Sequence, residues 1–394
     1  MMTRSEIMAL IDADYIVRIR RQLHMYPEIE FDLPRTLALV RGELDRMRIP
    51  YTEKYGRSSI VAYLNPDCKG PTLGIRADMD ALPLTEKTGL PFASRIEGHM
   101  HACGHDGHTA ILLGAAQALK AVEDQLNCRV ILIFQACEEG RYTGAKLLVQ
   151  DGLMDEIDRV CGLHLEPTME SGCIGACPGQ AMAASHPIIV EFFGKTAHAT
   201  LPQSGVDALA MAARFYMDLQ LVLTRERNPL RDECVISVGS LHSGTTTNVV
   251  PDYAELKISL RAFDPALEER LVNRIRALAE HIAQDAGGRA AVTEEVKAPT
   301  LYNDPEMCER LLASARKIVG EEGIRPVARR ISSEDFAFYA QKKPAVFFRL
   351  GIRNEEVGSV VSAHCNNYMM DEAALPNGAA VFVQFALDQN REDS

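Results

Sequence analysis

The segment MHACGHDGHTA, residues 100–110, carries the residue types that bind divalent metal ions. Cys103 and His105 stand two residues apart with one glycine between them, and thiolate and neutral imidazole are ligands that zinc and similar metals prefer. In a turn, this spacing can direct both side chains at one ion. Taken alone, the segment leaves three interpretations open: a metal site, a nucleophilic cysteine with a neighbouring imidazole, or a polar turn.

Further candidate ligands follow strand-like runs. Glu138 and Glu139 come at the end of VILIFQACEEG, and His164 comes near the end of RVCGLHL. Successive residues of a strand face opposite ways, so two adjacent glutamates share a site only if the chain turns, and Gly140 is placed to allow that turn. One carboxylate can then bind a metal while the other takes a proton from water. The pattern favours this division of labour over two solvated charges at a strand end.

The length and charge of the chain limit the classes of protein to consider. A chain of 394 residues is longer than one hydrophobic core usually serves, which predicts two domains. Its 42 basic and 54 acidic residues give a net charge of -12, which disfavours nucleic acid as a partner. Charged residues interrupt the N-terminal segment, and no apolar run reaches the roughly 20 residues that span a bilayer, so we expect a cytoplasmic protein without a membrane anchor. The ten cysteines are expected to be reduced thiols.

The first half of the chain alternates helix-like and strand-like segments, such as the helical HTAILLGAAQALKAV followed by the apolar strand CRVILIFQA. Strands separated by helices predict an α/β fold with a mixed, mostly parallel sheet sandwiched by helices. In such sheets ligands bind at the carboxyl ends of the strands, which is where the candidate ligands lie.

From Ser185 the order changes to strand, helix, strand, strand, helix, strand, and the last strand is AAVTEEVK. This β-α-β-β-α-β order predicts a ferredoxin-like α+β domain inserted into the first domain. The predicted boundaries are 1–184 for the first part of the first domain, 185–297 for the inserted domain, and 298–394 for the second part of the first domain.

Nine segments occur in an order that resembles a known family. They run from about residue 23 to 379 and are LHMYPEIEF, GIRADMDALPLTE, HACGHDGHTA, FQACEEG, GLHLEP, GKTAHATLP, TTTNVVPDYAELKISLRAF, SSEDFAFYA and DEAALPNGA. Together they resemble the dinuclear metallo-amidohydrolases of the aminoacylase and carboxypeptidase family. The resemblance is strongest to the branch of hippurate hydrolase and indole-acetyl-amino-acid hydrolase.

The resemblance implies two divalent ions in the catalytic domain, bound by Cys103, His105, Glu139, His164 and His364, with Cys103 as the bridge between them. Manganese or zinc is expected, with nickel or cobalt as alternatives, because donors of this kind tolerate several metals. The resemblance also implies that the chain hydrolyses the amide bond of an N-acyl amino acid, such as an acetyl or aroyl derivative, or of a dipeptide.

Further roles follow from the same resemblance. Glu138 would be the general base that activates a water held by the metals and returns its proton to the leaving amine. Asp78, in RADMD, resembles a carboxylate that orients a ligand imidazole, although an acid that caps the strand end is an equal alternative. The resemblance implies that the inserted domain, 185–297, is a lid and dimerisation domain of the catalytic domain formed by 1–184 and 298–394. In it, His198 resembles the histidine that stabilises the oxyanion, often from the neighbouring subunit of a homodimer. Asn248 and Arg261 resemble residues that hold the free carboxylate of the substrate.

The other histidines are expected to have no catalytic role: His99, His101, His242 and His281 as surface or loop groups, and His24 as the end of a helix. His108 is placed to begin a helix and to face the site. The sequence departs from the family pattern at Cys137, where alanine is common, and at Glu166, where an aromatic residue is common. Both border the expected pocket, so the identity of the substrate stays open.

Two other functions stay possible from the sequence. Cys103 could be the nucleophile of a cysteine hydrolase with His105 or His108 as its base, but Glu138, Glu139 and His164 would then have no role. A metal-bound module that binds amino acids or peptides without catalysis is the third candidate, but it would need the ligands without the base.

Overall fold

The structure is a computed structural model that describes residues 2–140, 143–294 and 297–389. The helices of the described residues are α1 Arg4–Leu10, α2 Ala13–Met25, α3 Pro34–Met47, α4 His105–Ala121, α5 Gly144–Gln150, α6 Ala208–Leu221, α7 Pro265–Ala286, α8 Pro305–Val319, α9 Ala337–Ala340 and α10 Leu375–Leu387. The strands are β1 Tyr51–Thr52, β2 Ile60–Leu64, β3 Thr72–Asp78, β4 Arg129–Gln135, β5 Arg159–Glu170, β6 Ile174–Ala176, β7 Gly179–Met182, β8 His186–Phe193, β9 Ala197–His198, β10 Cys234–Ser243, β11 Val249–Val250, β12 Tyr253–Ala262, β13 Arg289–Glu294, β14 Leu301–Asn303 and β15 Ala345–Arg353.

The chain divides into two compact units. The first comprises Met1–Ala181, Tyr302–Ala328 and Asp335–Ser394, and the second comprises Met182–Leu301 and Arg329–Glu334. The sequence predicts a single continuous insertion and assigns residues 329–334 to the catalytic domain, so the structure differs there. The segment has no regular secondary structure that a pattern could reveal, and it joins the second unit because the backbone N–H of Ala183 donates to the carbonyl oxygens of Arg330 and Ser332.

The first unit is built on a seven-stranded sheet in the order β1-β2-β4-β3-β5-β15-β6. The four central strands, β4, β3, β5 and β15, are mutually parallel, and the outer strands pair antiparallel. The central strands are buried on both faces, which explains why RVILIFQ in β4 has no polar alternation. Helix α4 packs against β3 and α2, and is buried along nearly its whole length. The predicted mixed, mostly parallel sheet is therefore confirmed.

The second unit has a four-stranded antiparallel sheet in the order β10-β12-β8-β13. Helices α6 and α7 pack against each other and against this sheet. Local signals set the ends of α7: the Asp264 side chain accepts from the backbone N–H of Ala266, Pro265 is the first helical residue, and Gly287 ends the helix with a φ of 74°. The predicted last strand, AAVTEEVK, includes residues 295–296, which lie outside the described residues.

All ten cysteines are free thiols, and seven of them are buried. In the part of the chain that the structure describes, no helix combines the length and the hydropathy needed to cross a bilayer.

Candidate metal centre

The turn before α4 fixes the Cys-x-His pair. His105 is the first residue of α4, and Gly104 precedes it with a φ of 90°, a left-handed conformation that glycine adopts without strain. A Cβ atom at position 104 would lie 2.9 Å from the hydroxyl of Tyr368. Both Cys103 and His105 are buried. Glycine therefore serves the turn and the packing, and the two flanking side chains enter the same region.

The two glutamates follow β4 in a turn. The sequence predicts this turn at Gly140, but the structure has it at a different residue. The residue with a left-handed backbone is Cys137, with a φ of 58°, and not Gly140. The carboxylate of Asp80 fixes the main chain after the turn. Its Oδ1 accepts from the backbone N–H of Glu138 at 3.0 Å, and its Oδ2 accepts from that of Glu139 at 2.9 Å. A non-glycine residue in the left-handed region, held by hydrogen bonds of its neighbours, is typical of functional sites.

The last two candidate ligands are held by hydrogen bonds to main-chain carbonyls. On β5, Nδ1–H of His164 donates to the carbonyl oxygen of Leu165 at 2.7 Å, which leaves Nε2 facing the Cys103 Sγ at 3.3 Å. The backbone N–H of His364 donates to the carbonyl oxygen of Ala102 at 2.8 Å, and its Nε2 lies 2.8 Å from Oε1 of Glu139. A carbonyl that accepts from one ring nitrogen fixes the tautomer and frees the other for a metal.

The structure brings all five predicted ligands together in two groups that share one sulfur. The donor atoms of Cys103, His105 and His164 lie within 4.8 Å of one another, and so do those of Cys103, Glu139 and His364. Glu138 belongs to a further group of the same compactness with His105 and Glu139. The candidate base therefore lies beside the candidate ligands.

The electrostatics of the cluster depend on burial and close charges. Burial raises the pKa of the Cys103 thiol well above its usual value, and the Glu139 carboxylate raises it further. Burial also favours the neutral form of Glu139, but the hydrogen bond from His364 and the charge of His105 outweigh it and lower the pKa of this carboxyl. In this balance Cys103 remains a thiol unless a cation is added, and a coordinating divalent ion deprotonates a thiol outright.

The surroundings of the His105 imidazole indicate whether these donors suit a divalent ion. The ring nitrogens of buried His105 lie 3.4 Å from Oδ1 of Asp80 and 3.7 Å from Oδ2 of Asp78, and neither makes a hydrogen bond of good geometry to a described residue. Buried polar atoms are normally satisfied. An imidazole without such a bond, surrounded by thiol and carboxylate donors, suits a borderline-soft divalent metal.

The imidazole that Asp78 binds by a hydrogen bond is that of His108, which is not one of the five predicted ligands. Oδ1 of Asp78 accepts from Nδ1 of His108 at 2.6 Å, and its Oδ2 accepts from the Arg76 guanidinium at 2.7 Å. Against the effect of burial, Arg76 and the neighbouring His105 hold the pKa of Asp78 well below its usual value. Asp80 was missed, yet the spacing in DMD, which puts both acids on one side of an extended chain, was a signal for it.

A second network behind the site was also missed. The buried Arg76 donates to Oε1 of Gln135 at 2.9 Å and to Oδ1 of Asp335 at 2.8 Å, and the Gln135 amide donates to both carboxylate oxygens of Asp335. These contacts tie the ends of β3 and β4 to the SSEDFAFYA segment, for which the sequence suggested no partner.

The candidate residues of the second unit are exposed or half-buried. His198 lies on β9, where its Nδ1 accepts from the backbone N–H of Thr200 at 3.2 Å, and Asn248 lies next to it because its carbonyl oxygen accepts from the Ala199 N–H. Arg261 is on β12 and donates to the Ser333 hydroxyl at 2.8 Å, and burial lowers its pKa.

Asn248 and Arg261 are not brought together. β12 begins at Tyr253 next to the His198 and Asn248 hairpin, and Arg261 lies eight residues further along the strand, about 27 Å away at ~3.4 Å per residue. Within one chain these two side chains cannot hold the same carboxylate.

Among the remaining histidines, His101 lies in a loop, which agrees with the expectation of a surface or loop group, but it is not at the surface. It is 1% exposed, and its ring nitrogens have no hydrogen-bond partner among the described residues. Buried polar groups of this kind cannot be recognised from local sequence pattern. His24 is in the last turn of α2 and holds Asp106 at 2.7 Å, which agrees with the expected structural role.

Comparisons with known proteins show the family of this chain. The profile of Peptidase family M20/M25/M40 matches residues 74–388. The chain is 36% identical to an N-acetyl-L-cysteine deacetylase of Bacillus subtilis over 96% of this chain and 89% of that protein. It is 32% identical to an IAA-amino acid hydrolase ILR1-like protein of Arabidopsis thaliana, covering 96% and 86%.

Solved structures show the same fold. A protein from methicillin resistant Staphylococcus aureus superposes with a TM-score of 0.91 at 30% identity, covering 96% of each chain. A Bacillus subtilis protein described as a dinuclear metal binding peptidase from the M20 family superposes with a TM-score of 0.80 at 30% identity, covering 95% of this chain and 97% of that one. The chain therefore belongs to the M20/M25/M40 peptidase family and is a hydrolase that acts on amide bonds.

Proposed function

We propose that this enzyme is a metal-dependent amidohydrolase that removes an acetyl, aroyl or similar acyl group from an N-acyl amino acid, with dipeptides as the alternative substrates. The observation that carries the proposal is the pair of donor groups that share Cys103, with Glu138 beside them. In this proposal Cys103, His105, Glu139, His164 and His364 hold two divalent ions.

The reaction divides between the ions and the side chains. When bound, the ions polarise the scissile carbonyl and lower the pKa of a water, which in the best zinc cases falls to about 7. Glu138 takes one proton from that water while the water oxygen bonds to the acyl carbon. The same carboxyl then gives the proton to the amine nitrogen as the carbon–nitrogen bond breaks, and the products are a carboxylic acid and a free amino acid.

The chain has a candidate donor for the oxyanion in His198. In the tautomer in which Nδ1 accepts from the N–H and the hydroxyl of Thr200, a neutral ring carries its proton on Nε2, and the side chain is exposed. An N–H donor of this kind stabilises charge that develops on a carbonyl oxygen. Arg261 supplies a guanidinium that can bind the free carboxylate of the amino acid.

The positions of these groups favour a homodimer. Arg261 and the hairpin with His198 and Asn248 lie at opposite ends of β12, so a site that uses all three needs one end from a second copy. An apolar stripe supports association through this unit, because one face of α6 exposes Leu209, Tyr216, Met217 and Leu221 by 41–64%. Sedimentation should show a dimer that Met217→Glu dissociates, whereas a wild-type monomer would contradict this part of the proposal.

The relatives support the substrate class. One is named for deacetylation of N-acetyl-L-cysteine and another for hydrolysis of IAA-amino acid conjugates, and both substrates are N-acyl amino acids. Manganese or zinc, and a cytoplasmic location, stay predictions of the sequence.

A cysteine hydrolase fits the structure less well. Its nucleophile must be a thiolate of low pKa, whereas burial raises the pKa of Cys103, and Glu138, Glu139 and His364 would have no function. A non-catalytic binding module leaves Glu138 unexplained.

The direct test is to reconstitute the metal-free protein separately with zinc, manganese, nickel and cobalt. Each sample is incubated with acetyl, benzoyl, indole-acetyl and long-chain acyl amino acids, and products are followed by mass spectrometry. We expect a free amino acid to appear in at least one metal-loaded sample and in none with chelator. Turnover that survives chelation, or a panel that stays intact with every metal, would overturn the proposal.

A further inference from the structure

His108 lies within reach of the candidate metal ligands but is engaged elsewhere. Its ring stacks on that of His105 with centroids 5.3 Å apart and meets the ring of His164 edge-on at 4.8 Å. Its nearest donor atoms, with those of Asp78 and His105, form a compact group that could hold an ion. The hydrogen bonds of His108 decide whether it is a ligand.

Both ring nitrogens of His108 are occupied. The backbone N–H of Leu165 points at Nε2 at 3.0 Å, and Nδ1 lies 2.6 Å from Oδ1 of Asp78. A backbone N–H can only donate, so Nε2 carries no proton, and Nδ1 therefore carries the proton and donates it to the carboxylate. The imidazole is neutral, of a single tautomer, and has no lone pair left for a metal.

The hydrogen bond from the Leu165 N–H to His108 forms where β5 has no described neighbouring strand on one side. Among the described residues, β5 pairs with β3 from Arg159 to Gly162, and no described strand lies beside the main chain of β5 beyond Gly162 on that side. On its other side β5 continues to pair with β15, where Leu165 lies opposite Leu350. The His108 ring takes the place of the missing strand at the residue that follows His164.

Asp78, the other hydrogen-bond partner of His108, is itself held by further hydrogen bonds. Asp78 accepts from Arg76 through its second oxygen, and the Thr109 hydroxyl donates to the Asp78 carbonyl oxygen at 2.8 Å. The end of β3, the first turn of α4 and the middle of β5 are therefore joined at one buried imidazole.

We propose that His108 is a positioning residue that sets the place of His164 through the Leu165 main chain, and that it is not itself a metal ligand. The proposal rests on the proposed metal-dependent function. Outer partners of this kind typically change metal affinity by about 10- to 100-fold when they are lost.

Two conservative variants separate the two hydrogen bonds. The amide of His108→Gln extends to the position of Nε2 and can accept from Leu165, whereas the shorter amide of His108→Asn occupies the position of Nδ1 and can donate to Asp78. His101→Asn is the control, because His101 is an equally buried imidazole of the same segment without a hydrogen-bond partner among the described residues.

The experiment is calorimetric titration of the metal-free proteins with zinc, with thermal unfolding recorded on the same samples. We expect wild type and His101→Asn to bind two ions equally well. His108→Asn should bind two, one of them about 10- to 100-fold more weakly, and His108→Gln should recover most of that affinity. Nitrogen NMR of the zinc-loaded wild type should show His108 protonated at Nδ1.

Several results would overturn the inference while the proposed function stands. These are zinc affinity unchanged in His108→Asn, equal weakening in His101→Asn, loss of one whole ion in both His108 variants, or a metal-bound His108 nitrogen in the NMR spectrum. A wild-type protein that binds no zinc, manganese, nickel or cobalt would overturn the proposed function and this inference with it.

Discussion

The two units of the chain hold their candidate residues in opposite ways. In the first unit Cys103 and His105 are buried, Glu139 and His164 are partly buried, and His364 is exposed. Their donor atoms form two groups of three that share Cys103, and within each group the atoms lie within 4.8 Å of one another. In the second unit His198 and Asn248 are exposed on a small hairpin, and Arg261 lies at the other end of β12. The first unit brings candidate metal donors together within one chain, whereas the second keeps its candidate groups apart, and in our proposal they form a site only with a substrate and a second copy.

The strongest test of the preorganised unit is Glu138→Gln. Loss of a general base lowers turnover typically by about 100- to 10,000-fold, because no other group takes the proton in the right place. Zinc affinity should stay unchanged, since the variant keeps all five ligands. Steady-state kinetics and zinc titration measure the two effects, with Glu139→Gln as the control that should lose zinc affinity. Turnover equal to that of wild type would remove Glu138 from the mechanism.

The stability of the two units should respond differently to loss of an arginine. Arg76→Met leaves the buried carboxylates of Asp78 and Asp335 without their guanidinium partner, which should lower the free energy of unfolding by about 3–5 kcal/mol. Arg261→Met removes one hydrogen bond from a half-buried side chain and should cost less. Denaturant unfolding provides the comparison, and equal losses would contradict it.

His198→Ala tests the exposed unit. We expect turnover to fall by about 100- to 1000-fold, as for loss of one oxyanion donor, while the melting temperature stays the same because the side chain is exposed. Mixing this variant with an inactive Glu138→Gln protein should restore activity if the histidine acts on the neighbouring subunit. A mixture without any recovery would place His198 in its own subunit.

The smallest expected effect is a pH dependence within the second unit. His186 places one ring nitrogen 2.7 Å from Glu268 on α7 and the other 3.2 Å from Glu294 on β13, and Arg276 also pairs with Glu294. A ring that donates to both carboxylates must be protonated, and against the effect of burial these carboxylates raise its pKa above 6.5.

The sign of this effect follows from the raised pKa. The stabilisation is complete below pH 6.5, where the unfolded chain also binds the proton, and it is lost as the pH rises through the folded pKa. Hydrogen exchange in α7 and β13 should therefore accelerate from pH 6 to pH 9 beyond the intrinsic change. This additional acceleration of exchange should be absent in His186→Gln. An equal acceleration in that variant would show that His186 is not the group responsible.

Much of the site could be predicted because its ligands follow strands and turns with local signals. Cys103, His105 and Glu139 stand out by residue type and spacing, whereas His364 required the family resemblance. Asp80 and the burial of His101 were missed because they depend on tertiary contacts. Arg76 illustrates the limit, since an arginine inside a strand gives no sign that its partners lie 59 and 259 residues away.

The central claim is that the first unit holds two ions on donors that share Cys103. Anomalous diffraction from crystals of the zinc-loaded protein tests it most directly. We expect two zinc peaks, both bonded to the Cys103 sulfur, with His105, Glu139, His164 and His364 completing the ligands and His108 bonded to neither. A single peak, or two peaks on other residues, would contradict it.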